Sequence, residues 1–498
     1  MIGANSFPLF VVVTHFLNIL FITLMARSGL EILSALPRLY RTDDCTPGRE
    51  MLRLSKTVVA ADSPKEWTSL DLEVSWSPLI ALPGRKNLGI GRHWHFMTLQ
   101  FWILTGLVYV VLLFTTGQWI RLVPTDWGIF PRAINDISIY LSGHLAPHQP
   151  GLPYDSIQQL SYFAVIFLLA PFQIASGAAM SPSVLARFPW YGKLFGGKQL
   201  ARTLHFLGLC AFAAFVLVHT IMVVVHNVPH EWAAIVLGSY RANQTLAVVI
   251  GIIALLFVLL VNVVATMWSL ANRRAVQGLT GLFVNPLERV ISRLSSSHQR
   301  YRQDQITPYH WKNGYPPPDA DYQALARDGF RDYRLDVGGL VAKPLCLSLP
   351  ELRTLGFERQ VVKHNCIQGW TSVGEWGGVP LTRVIEACHP SPRAKFIVFY
   401  AYDDKGVTEG EGRYGLFYGT IPLHLANKPQ TILALEMNGE PLPVDYGAPV
   451  RLRVETQLGF KLVKWIRRIE FVESYGDIGM GMGGWREDQQ YYANAAGI

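Results

Sequence analysis

Cysteine is scarce in this sequence, and the few cysteines are not arranged in pairs. The chain of 498 residues has five of them, with no CxxC motif, and an odd number provides no disulfide framework. Scattered thiols of this kind fit a reducing compartment. They are Cys45, Cys210, Cys346, Cys366 and Cys388.

Features that indicate nucleic-acid binding are also missing. The formal net charge is +8, but the sequence has no basic helix, no zinc-finger spacing and no aromatic-basic platform. Positive residues cluster instead beside long apolar runs, where orientation signals are expected. We therefore predict no nucleic-acid partner.

Long apolar runs occupy the chain only up to about residue 272, after which charged residues, glycine and proline return. Each run has roughly the 20 residues that a helix needs to cross a bilayer. We predict an all-α transmembrane bundle of five spans over 1–272, an amphipathic linker over 273–304 and a soluble mixed α+β domain over 305–498. The predicted spans are 7–26, 94–117, 157–180, 203–226 and 245–271.

The first run is interpreted as a span and not as a removed signal peptide, because it lacks a basic n-region and a small-residue cleavage site. Five spans sort the connecting segments into two sets. One set, which includes the loop 38–92, is rich in arginine and lysine, whereas the other contains only Arg121, Arg132 and Arg241. The positive-inside tendency places the C-terminal half in the cytoplasm and the N-terminus outside, in a bacterial inner membrane.

Four histidines lie inside the predicted spans: His15, His95, His205 and His219. An ionisable side chain in hydrocarbon indicates function, although a histidine bonded to a neighbouring helix is the plain alternative. His205 and His219 are fourteen residues apart, so they project from one helix face about 21 Å apart. Alternating span directions place His95 level with His205, and His15 level with His219.

Two histidines that face each other at equal depth are typical of a haem site, since zinc would usually need further ligands. We therefore predict two b-type haems. His93 is a rival to His95 as ligand. Arg92 and Arg202 either neutralise haem propionates or are ordinary flanking charges. His226 is either a quinone or propionate contact or an interfacial histidine.

The motifs "RHWHF" (92–96) and "ARTLHFLG" (201–208) carry a family resemblance. Over about residues 7–226 the layout resembles the cytochrome b subunits of bacterial formate dehydrogenase and nickel-iron hydrogenase. The ligands of those subunits come from the first, second and fourth helices. The resemblance implies electron exchange between a redox partner and membrane quinone. The predicted orientation departs from that family, whose partner domain lies outside.

After the linker, short alternating runs predict strands at "YRLDVGGLV", "FIVFYAYD", "VRLRVE" and "KWIRRIEFVE", with a helix near "PLTRVIEAC". Within this domain Cys366, in "HNCIQGW" (364–370), has three interpretations. It is a buried small hydrophobe, a nucleophile with His364 nearby, or a thiolate ligand. A soft ligand to a redox metal best explains why the domain is joined to a two-haem bundle.

The stretches 364–385 and 437–471 resemble the sulfite oxidase superfamily of molybdopterin enzymes, and within it the bacterial methionine sulfoxide reductase catalytic subunits. The resemblance covers about 305–475 and implies that Cys366 binds molybdenum in a molybdopterin cofactor. It also implies cofactor contacts in the motif "YHWKNGYPP" (309–317) and beside the cysteine. The residues concerned are His310, Trp311, Asn313 and His364.

Three basic residues match the family's GAPxR and GFKxxK blocks: Arg451, Lys461 and Lys464. Positive groups suit the pterin phosphate or an anionic substrate, and exposed charge on strand edges is the alternative. Gln368 stands where sulfoxide reductases of this family carry an acid. We assign it with Cys366 to the catalytic site.

The neutral residues after Cys366 favour a neutral oxygen donor such as a sulfoxide or an N-oxide. We expect membrane quinol to feed two haems and then a cytoplasmic molybdenum centre that reduces this small substrate. The alternative runs in reverse, with a sulfite-type donor oxidised and quinone reduced. An alternative of another class is a haem protein of the lipid membrane with a metal-free sensing or docking domain. A homodimer is compatible with each of these.

Overall fold

The computed structural model describes residues 6–63, 66–294, 299–404, 415–494 and 496–497. The chain forms two compact units. The helical unit consists of Met1–Ser28, Trp94–Gly177 and Leu204–Trp268. The mixed unit consists of Gly29–His93, Ala178–Thr203 and Ser269–Ile498.

Five helices in the first 294 residues are long and apolar enough to cross a membrane, as predicted. They are α1, α2, α4, α7 and α9 of the following series. The helices are α1 (Leu9–Ser34), α2 (Leu88–Thr115), α3 (Ile129–Leu141), α4 (Ser156–Ala178), α5 (Pro182–Arg187), α6 (Pro189–Leu194), α7 (Lys198–His226), α8 (Val228–Leu237), α9 (Gln244–Ala271) and α10 (Arg273–Leu294).

The spanning helices have apolar surfaces that fit a lipid environment. At most 22% of the most apolar segment of any span is buried within the protein, and the mean hydropathy of these segments is between 1.7 and 3.1. Polar side chains in this unit bond to each other. Arg27 of α1 donates to Asn262 Oδ1 (3.0 Å) and to Thr266 Oγ1 (2.7 Å) of α9. Such pairing meets the requirement that polar groups inside a membrane find partners in the protein.

The helices extend beyond the predicted spans where the sequence turns polar. α1 continues to Ser34 and α7 begins at Lys198, because a helix does not have to end where the apolar run ends. In the middle of α4, residues Ala164–Leu169 form a π-helical segment. The N-terminus of α4 is capped by Asp155, which accepts a hydrogen bond from the backbone of Gln158. The predicted linker region forms helix α10 as far as Leu294.

All the strands in the described part of the chain belong to the mixed unit. A two-stranded ladder in the first loop pairs β1 with β2, and two five-stranded sheets follow. One has the order β10-β9-β6-β5 with β11 also on β9, and the other has the order β4-β3-β12-β7-β8. The strands are β1 (Arg38–Leu39), β2 (Leu52–Arg53), β3 (Leu335–Gly339), β4 (Leu345–Leu347), β5 (Glu358–Asn365), β6 (Thr371–Pro380), β7 (Phe396–Asp404), β8 (Leu416–Pro422), β9 (Ile432–Met437), β10 (Glu440–Pro441), β11 (Arg451–Arg453) and β12 (Ile466–Val472).

All strand pairs in the two larger sheets are antiparallel except β12 with β3, so the predicted mixed α+β class is confirmed. Short helices complete the domain. The predicted helix near "PLTRVIEAC" is α13. The helices are α11 (Ala320–Arg327), α12 (Leu349–Thr354), α13 (Leu381–Cys388), α14 (Leu423–Ala426) and α15 (Trp485–Gln489). Apolar side chains from both sheets form one core, with Phe399, Leu433 and Ile469 fully buried.

The loop between α1 and α2 packs onto the C-terminal domain within the mixed unit. Asp43 accepts from Lys363 Nζ of β5 at 2.7 Å, and the Trp311 indole donates to the backbone oxygen of Cys45 at 3.0 Å. The segment between α4 and α7 belongs to the same unit. The first loop, the segment between α4 and α7 and the C-terminal half therefore belong to one compact unit.

We predict that Gly378→Ala destabilises the mixed unit by roughly 1–3 kcal/mol, since a methyl group there would overlap the backbone of β9. A Cβ at Gly378 would collide with the Leu433 carbonyl oxygen and lie 2.7 Å from Ala434 Cα. Gly338→Ala is the matched control, because no atom lies within 4 Å of its Cβ position. Thermal unfolding of both variants tests this, and equal melting temperatures would contradict it.

Candidate functional site

Two pairs of histidines face each other within the helical unit. The ring centroids of His15 and His219 are 6.3 Å apart with planes at 62°, and those of His95 and His205 are 6.5 Å apart with planes at 69°. Two imidazoles that share one metal through bonds of about 2 Å would have centroids about 6 Å apart. Both pairs have this spacing, so each has room for one iron between the rings.

Serine side chains bond to the outer nitrogens of the second pair. Ser28 Oγ lies 3.2 Å from His95 Nδ1, and Ser176 Oγ lies 3.0 Å from His205 Nδ1. Metal-binding histidines are usually oriented in this way, with one nitrogen bonded to the protein and the other directed at the metal. In the first pair, His219 stacks on Phe215 with an interplanar angle of 13°.

His95 and its rival His93 have different neighbours. His93 lies in the mixed unit, where its Nδ1 is 3.0 Å from Thr280 Oγ1, whereas His95 faces His205. His226 has polar neighbours of its own, because its Nε2 is 3.5 Å from the Tyr140 hydroxyl. Among the described residues no group of three or more His, Cys, Asp or Glu side chains could hold a metal ion.

The two predicted propionate arginines have protein partners in the mixed unit. Arg202 donates to the backbone oxygens of Leu36 and Arg38, and Arg92 lies 4.0 Å from Glu288. Arg202 therefore attaches the start of α7 to the first loop.

Cys366 lies in the tight turn that joins β5 to β6. The last residue pair of this hairpin is Asn365 with Thr371, and inside the turn the Cys366 N–H donates to the Trp370 oxygen at 3.0 Å. Gly369 has a φ of 118°, a conformation that residues with a side chain rarely adopt. A Cβ there would also lie 3.2 Å from Arg202 Nε. The backbone thus fixes where the sulfur points.

The sulfur lines a cavity of about 240 Å³ in the mixed unit. Cys366 is only 4% exposed. The wall combines three basic side chains with aromatic rings and backbone from several strands and loops. Among the lining residues are Leu70, His310, Trp311, Asn313, His364, Trp370, Tyr446, Arg451, Lys464, Trp465 and Arg486.

The electrostatics of the cavity argue against a nucleophilic cysteine. Burial raises the pKa of the Cys366 thiol to about 11, whereas activated nucleophilic cysteines have lowered values. Burial, together with Arg451 and Arg453, holds the pKa values of His310 and His364 well below the usual range, so both imidazoles are neutral near pH 7. Neither is therefore an imidazolium that could stabilise a free thiolate.

Most of the predicted cofactor residues meet at this cavity. Asn313 Nδ2 donates to Gln368 Oε1 at 3.0 Å, and Gln368 Oε1 lies 3.6 Å from the Cys366 sulfur. His364 stacks on Trp370 with centroids 4.9 Å apart, and His310 Nδ1 lies 2.7 Å from the hydroxyl of Ser372.

The three predicted basic residues are placed differently. Arg451 and Lys464 line the cavity, but Lys461 does not. Lys461 is buried and donates to Glu487 Oε1 at 2.5 Å and to Asn494 Oδ1 at 2.9 Å. The Lys461 ammonium group is therefore paired within the protein and does not face the cavity. The spacing of the GFKxxK block could not predict this.

Sequence reasoning missed the contributions of the first loop and of the C-terminal tail to the site. Leu70 of the first loop lines the cavity, and its neighbour Ser69 bonds to Asn313 at 3.1 Å. No motif in that loop signals this role. Arg486 also lines the cavity and donates to Asn313 Oδ1 at 3.2 Å. A basic residue next to Trp485 in the C-terminal tail was its only sequence signal.

The residues at the cavity fit a molybdopterin. A buried soft sulfur suits molybdenum, and the basic groups suit a phosphate. Arg451 is 5% exposed, and its Nε has no hydrogen-bond partner among the described residues. Burial lowers the pKa of Arg451 to about 9. A buried guanidinium with an unused donor is suited to bind an anion, because buried polar groups are normally hydrogen-bonded.

Comparisons with known families match both parts of the chain. The family described as "Prokaryotic cytochrome b561" matches residues 6–238, and the family described as "Oxidoreductase molybdopterin binding domain" matches residues 322–477. These matches, with the five apolar helices, support an oxidoreductase with a cytochrome b part in the membrane and a molybdopterin-binding part. Residues 6–238 are thus similar to a cytochrome b family and residues 322–477 to a molybdopterin-binding oxidoreductase family, and haem b and molybdenum-molybdopterin are the cofactors of those families.

Individual relatives cover parts of the chain. YedZ1 of Azospira oryzae, proposed by its name to be a protein-methionine-sulfoxide reductase subunit, is 36% identical over 32% of this chain and 54% of its own length. The protein-methionine-sulfoxide reductase catalytic subunit MsrP of Xanthomonas axonopodis pv. citri is 35% identical over 28% of this chain and 45% of its own. The chain thus spans about half the length of these curated relatives.

One solved structure is also similar over a limited part. The sulfane dehydrogenase SoxCD from Paracoccus pantotrophus has 24% identity over 32% of this chain and 40% of that chain, with a TM-score of 0.26. A likeness at this level carries no functional argument.

We predict that Arg451 and Lys461 variants fail in different ways. Arg451→Met should lower the molybdenum content about tenfold or more, because a charged hydrogen bond contributes roughly 1.5–3 kcal/mol. Lys461→Met should instead lower the melting temperature, since an unpaired buried Glu487 costs roughly 3–5 kcal/mol. Metal analysis and thermal unfolding of both proteins test this. Cofactor loss in the Lys461 variant with unchanged stability would contradict the placement.

Proposed function

We propose that the protein oxidises membrane quinol and uses the electrons to reduce a small neutral sulfoxide or a related oxygen donor. In this reaction, quinol and the sulfoxide give quinone, the thioether and water. Two electrons and two protons pass from quinol to the substrate, and the oxygen atom leaves in water.

The observation that carries this proposal is the position of the Cys366 sulfur on the wall of a cavity with basic and aromatic residues. Molybdenum bound to molybdopterin supplies two-electron oxygen-atom transfer. Cys366 would hold the metal, while Arg451 and Lys464 would bind the phosphate of the pterin. The neutral Asn313 and Gln368 beside the sulfur would leave room for an uncharged substrate.

The relatives support the direction of the reaction. Both named relatives are called protein-methionine-sulfoxide reductase subunits. The residues that follow Cys366 are neutral, as Ile367, Gln368 and Gly369 provide no charge to bind sulfite. We therefore place sulfoxide reduction ahead of sulfite oxidation.

We propose two b haems as the electron path, one between His15 and His219 and one between His95 and His205. Helix α7 carries a ligand of each pair. Its first residues bond to the turn that contains Cys366. Lys198 Nζ donates to Asn365 Oδ1 at 3.2 Å, and Gln199 Nε2 donates to the Gly369 oxygen at 2.8 Å. Lys198 and Gln199 at the start of α7 thus hold the turn that contains Cys366.

For the orientation, we propose that the arginine-rich loops and the C-terminal domain lie in the cytoplasm of a bacterium, with the N-terminus outside. The charge distribution supports this, because the first and third loops carry most of the arginine and lysine of the connecting segments. Both loops share the mixed unit with the C-terminal domain.

Turnover of the purified protein tests the proposed reaction. With reduced quinone we expect reduction of methyl aryl sulfoxides, and we expect Cys366→Ser to abolish it. Cys346→Ser, at an exposed cysteine, is the control and should keep full activity. Oxidation of sulfite with quinone as acceptor, without sulfoxide reduction, would contradict the proposed direction.

The haem assignment makes a separate prediction. We expect two haems per chain in the wild-type protein and one in His15→Ala, because an axial pair with one ligand loses its iron. His95→Ala should also retain one haem. His148→Ala, at an exposed histidine between α3 and α4, should retain two. Pyridine haemochrome analysis gives these ratios, and two haems in either ligand variant would refute the pairing.

A further inference from the structure

Besides its contact with the Cys366 sulfur, the side-chain amide of Gln368 makes four hydrogen bonds. Nε2 donates to Glu73 Oε1 at 2.7 Å and to the backbone oxygen of Ser69 at 3.1 Å. Oε1 accepts from Asn313 Nδ2 at 3.0 Å and from Trp370 Nε1 at 3.3 Å. The Ser69 carbonyl can only accept and the indole can only donate, so the amide has one orientation.

This orientation directs an oxygen at the cysteine. Gln368 Oε1 is 3.6 Å from the Cys366 sulfur, and both residues are buried. Hydrogen bonds in a chain polarise each other, so a carboxylate at Nε2 increases the negative charge on Oε1. Burial raises the pKa of Glu73, whereas the bond from Gln368 favours its ionised form.

The contact joins two distant parts of the sequence. Glu73 belongs to the loop between α1 and α2, and it lies 295 residues before Gln368. Charge and hydrogen bonding around a metal-bound sulfur are among the means by which proteins set reduction potentials. The first loop can therefore influence the Cys366 sulfur through Gln368.

We propose that Glu73 is a positioning residue for the Cys366 sulfur and acts through Gln368. It fixes and polarises the amide so that negative charge faces the sulfur, which lowers the reduction potential of the molybdenum. The inference rests on the proposed role of Cys366 as the molybdenum ligand. Glu73 takes no part in bond making or proton transfer.

The test compares Glu73→Ala with Glu66→Ala in the purified holoenzyme. Glu66 lies in the same loop, but its side chain is 75% exposed and pairs with Lys312 at 3.7 Å. We expect the Mo(VI)/Mo(V) midpoint potential, measured by titration with electron paramagnetic resonance detection, to rise in Glu73→Ala and to stay unchanged in Glu66→Ala. A wild-type potential in Glu73→Ala at full molybdenum content would overturn the proposal.

A double variant shows whether Glu73 acts on the molybdenum potential through Gln368 or directly through its charge. In a Gln368→Leu background, replacing Glu73 should produce no further shift, because the amide that transmits the effect is absent. An equal shift in both backgrounds would refute the relay. If Glu73→Ala does not fold, the isosteric Glu73→Gln replaces it in the same comparison. We expect the midpoint potential of the molybdenum to rise in this variant as well. An unchanged or lower potential would overturn the proposal.

The role of Cys366 is checked independently in the same samples. If Cys366→Ser retains the wild-type resonance spectrum, the assignment of the metal ligand fails and the relay has no target. If that spectrum changes while Glu73→Ala remains like the wild type, only the role of Glu73 is wrong.

Discussion

The backbone turn at residues 366–370 is the constraint on which the rest of the site depends. It closes the hairpin of β5 and β6, and its sharp course requires the positive φ of Gly369. Groups from outside the domain also hold it, because Gln199 donates to the Gly369 oxygen and to Thr371 Oγ1. Cys366 is therefore fixed by local chain geometry and by contacts from the first residues of α7.

These contacts give the connecting loops a function beyond linking helices. The first loop supplies Asp43 to Lys363 of β5, and its Ser69 and Glu73 bond to Asn313 and Gln368. Each of these hydrogen bonds is at least partly shielded from solvent. At such a place, a donor or acceptor that loses its partner destabilises the protein. The cavity beside Cys366 is thus built from the C-terminal domain together with residues of the loop between α1 and α2.

Much of the architecture could be predicted from the sequence, because its signals are local. Apolar runs gave the five spans, and the fourteen-residue separation of His205 and His219 led to two histidine pairs that the structure brings to about the same centroid distance. Alternating patterns located strands such as β7 and β12.

Contacts between distant residues could not be predicted in this way. Nothing in the pattern of the first loop indicates that Glu73 meets Gln368. Lys461 and Lys464 are three residues apart in one basic block, yet one forms a buried ion pair with Glu487 and the other lines the cavity. The direction of each side chain follows from the fold, because the local turn Gly459–Lys461 directs the first lysine inwards.

The central claim is that the Cys366 sulfur binds molybdenum. X-ray absorption at the molybdenum edge tests this claim most directly. The comparison is between wild-type protein and Cys366→Ser, with spectra normalised to equal molybdenum. We expect the variant to show one sulfur neighbour fewer, replaced by a lighter atom. An unchanged number of sulfur neighbours would contradict the account, since the metal would then be held without Cys366.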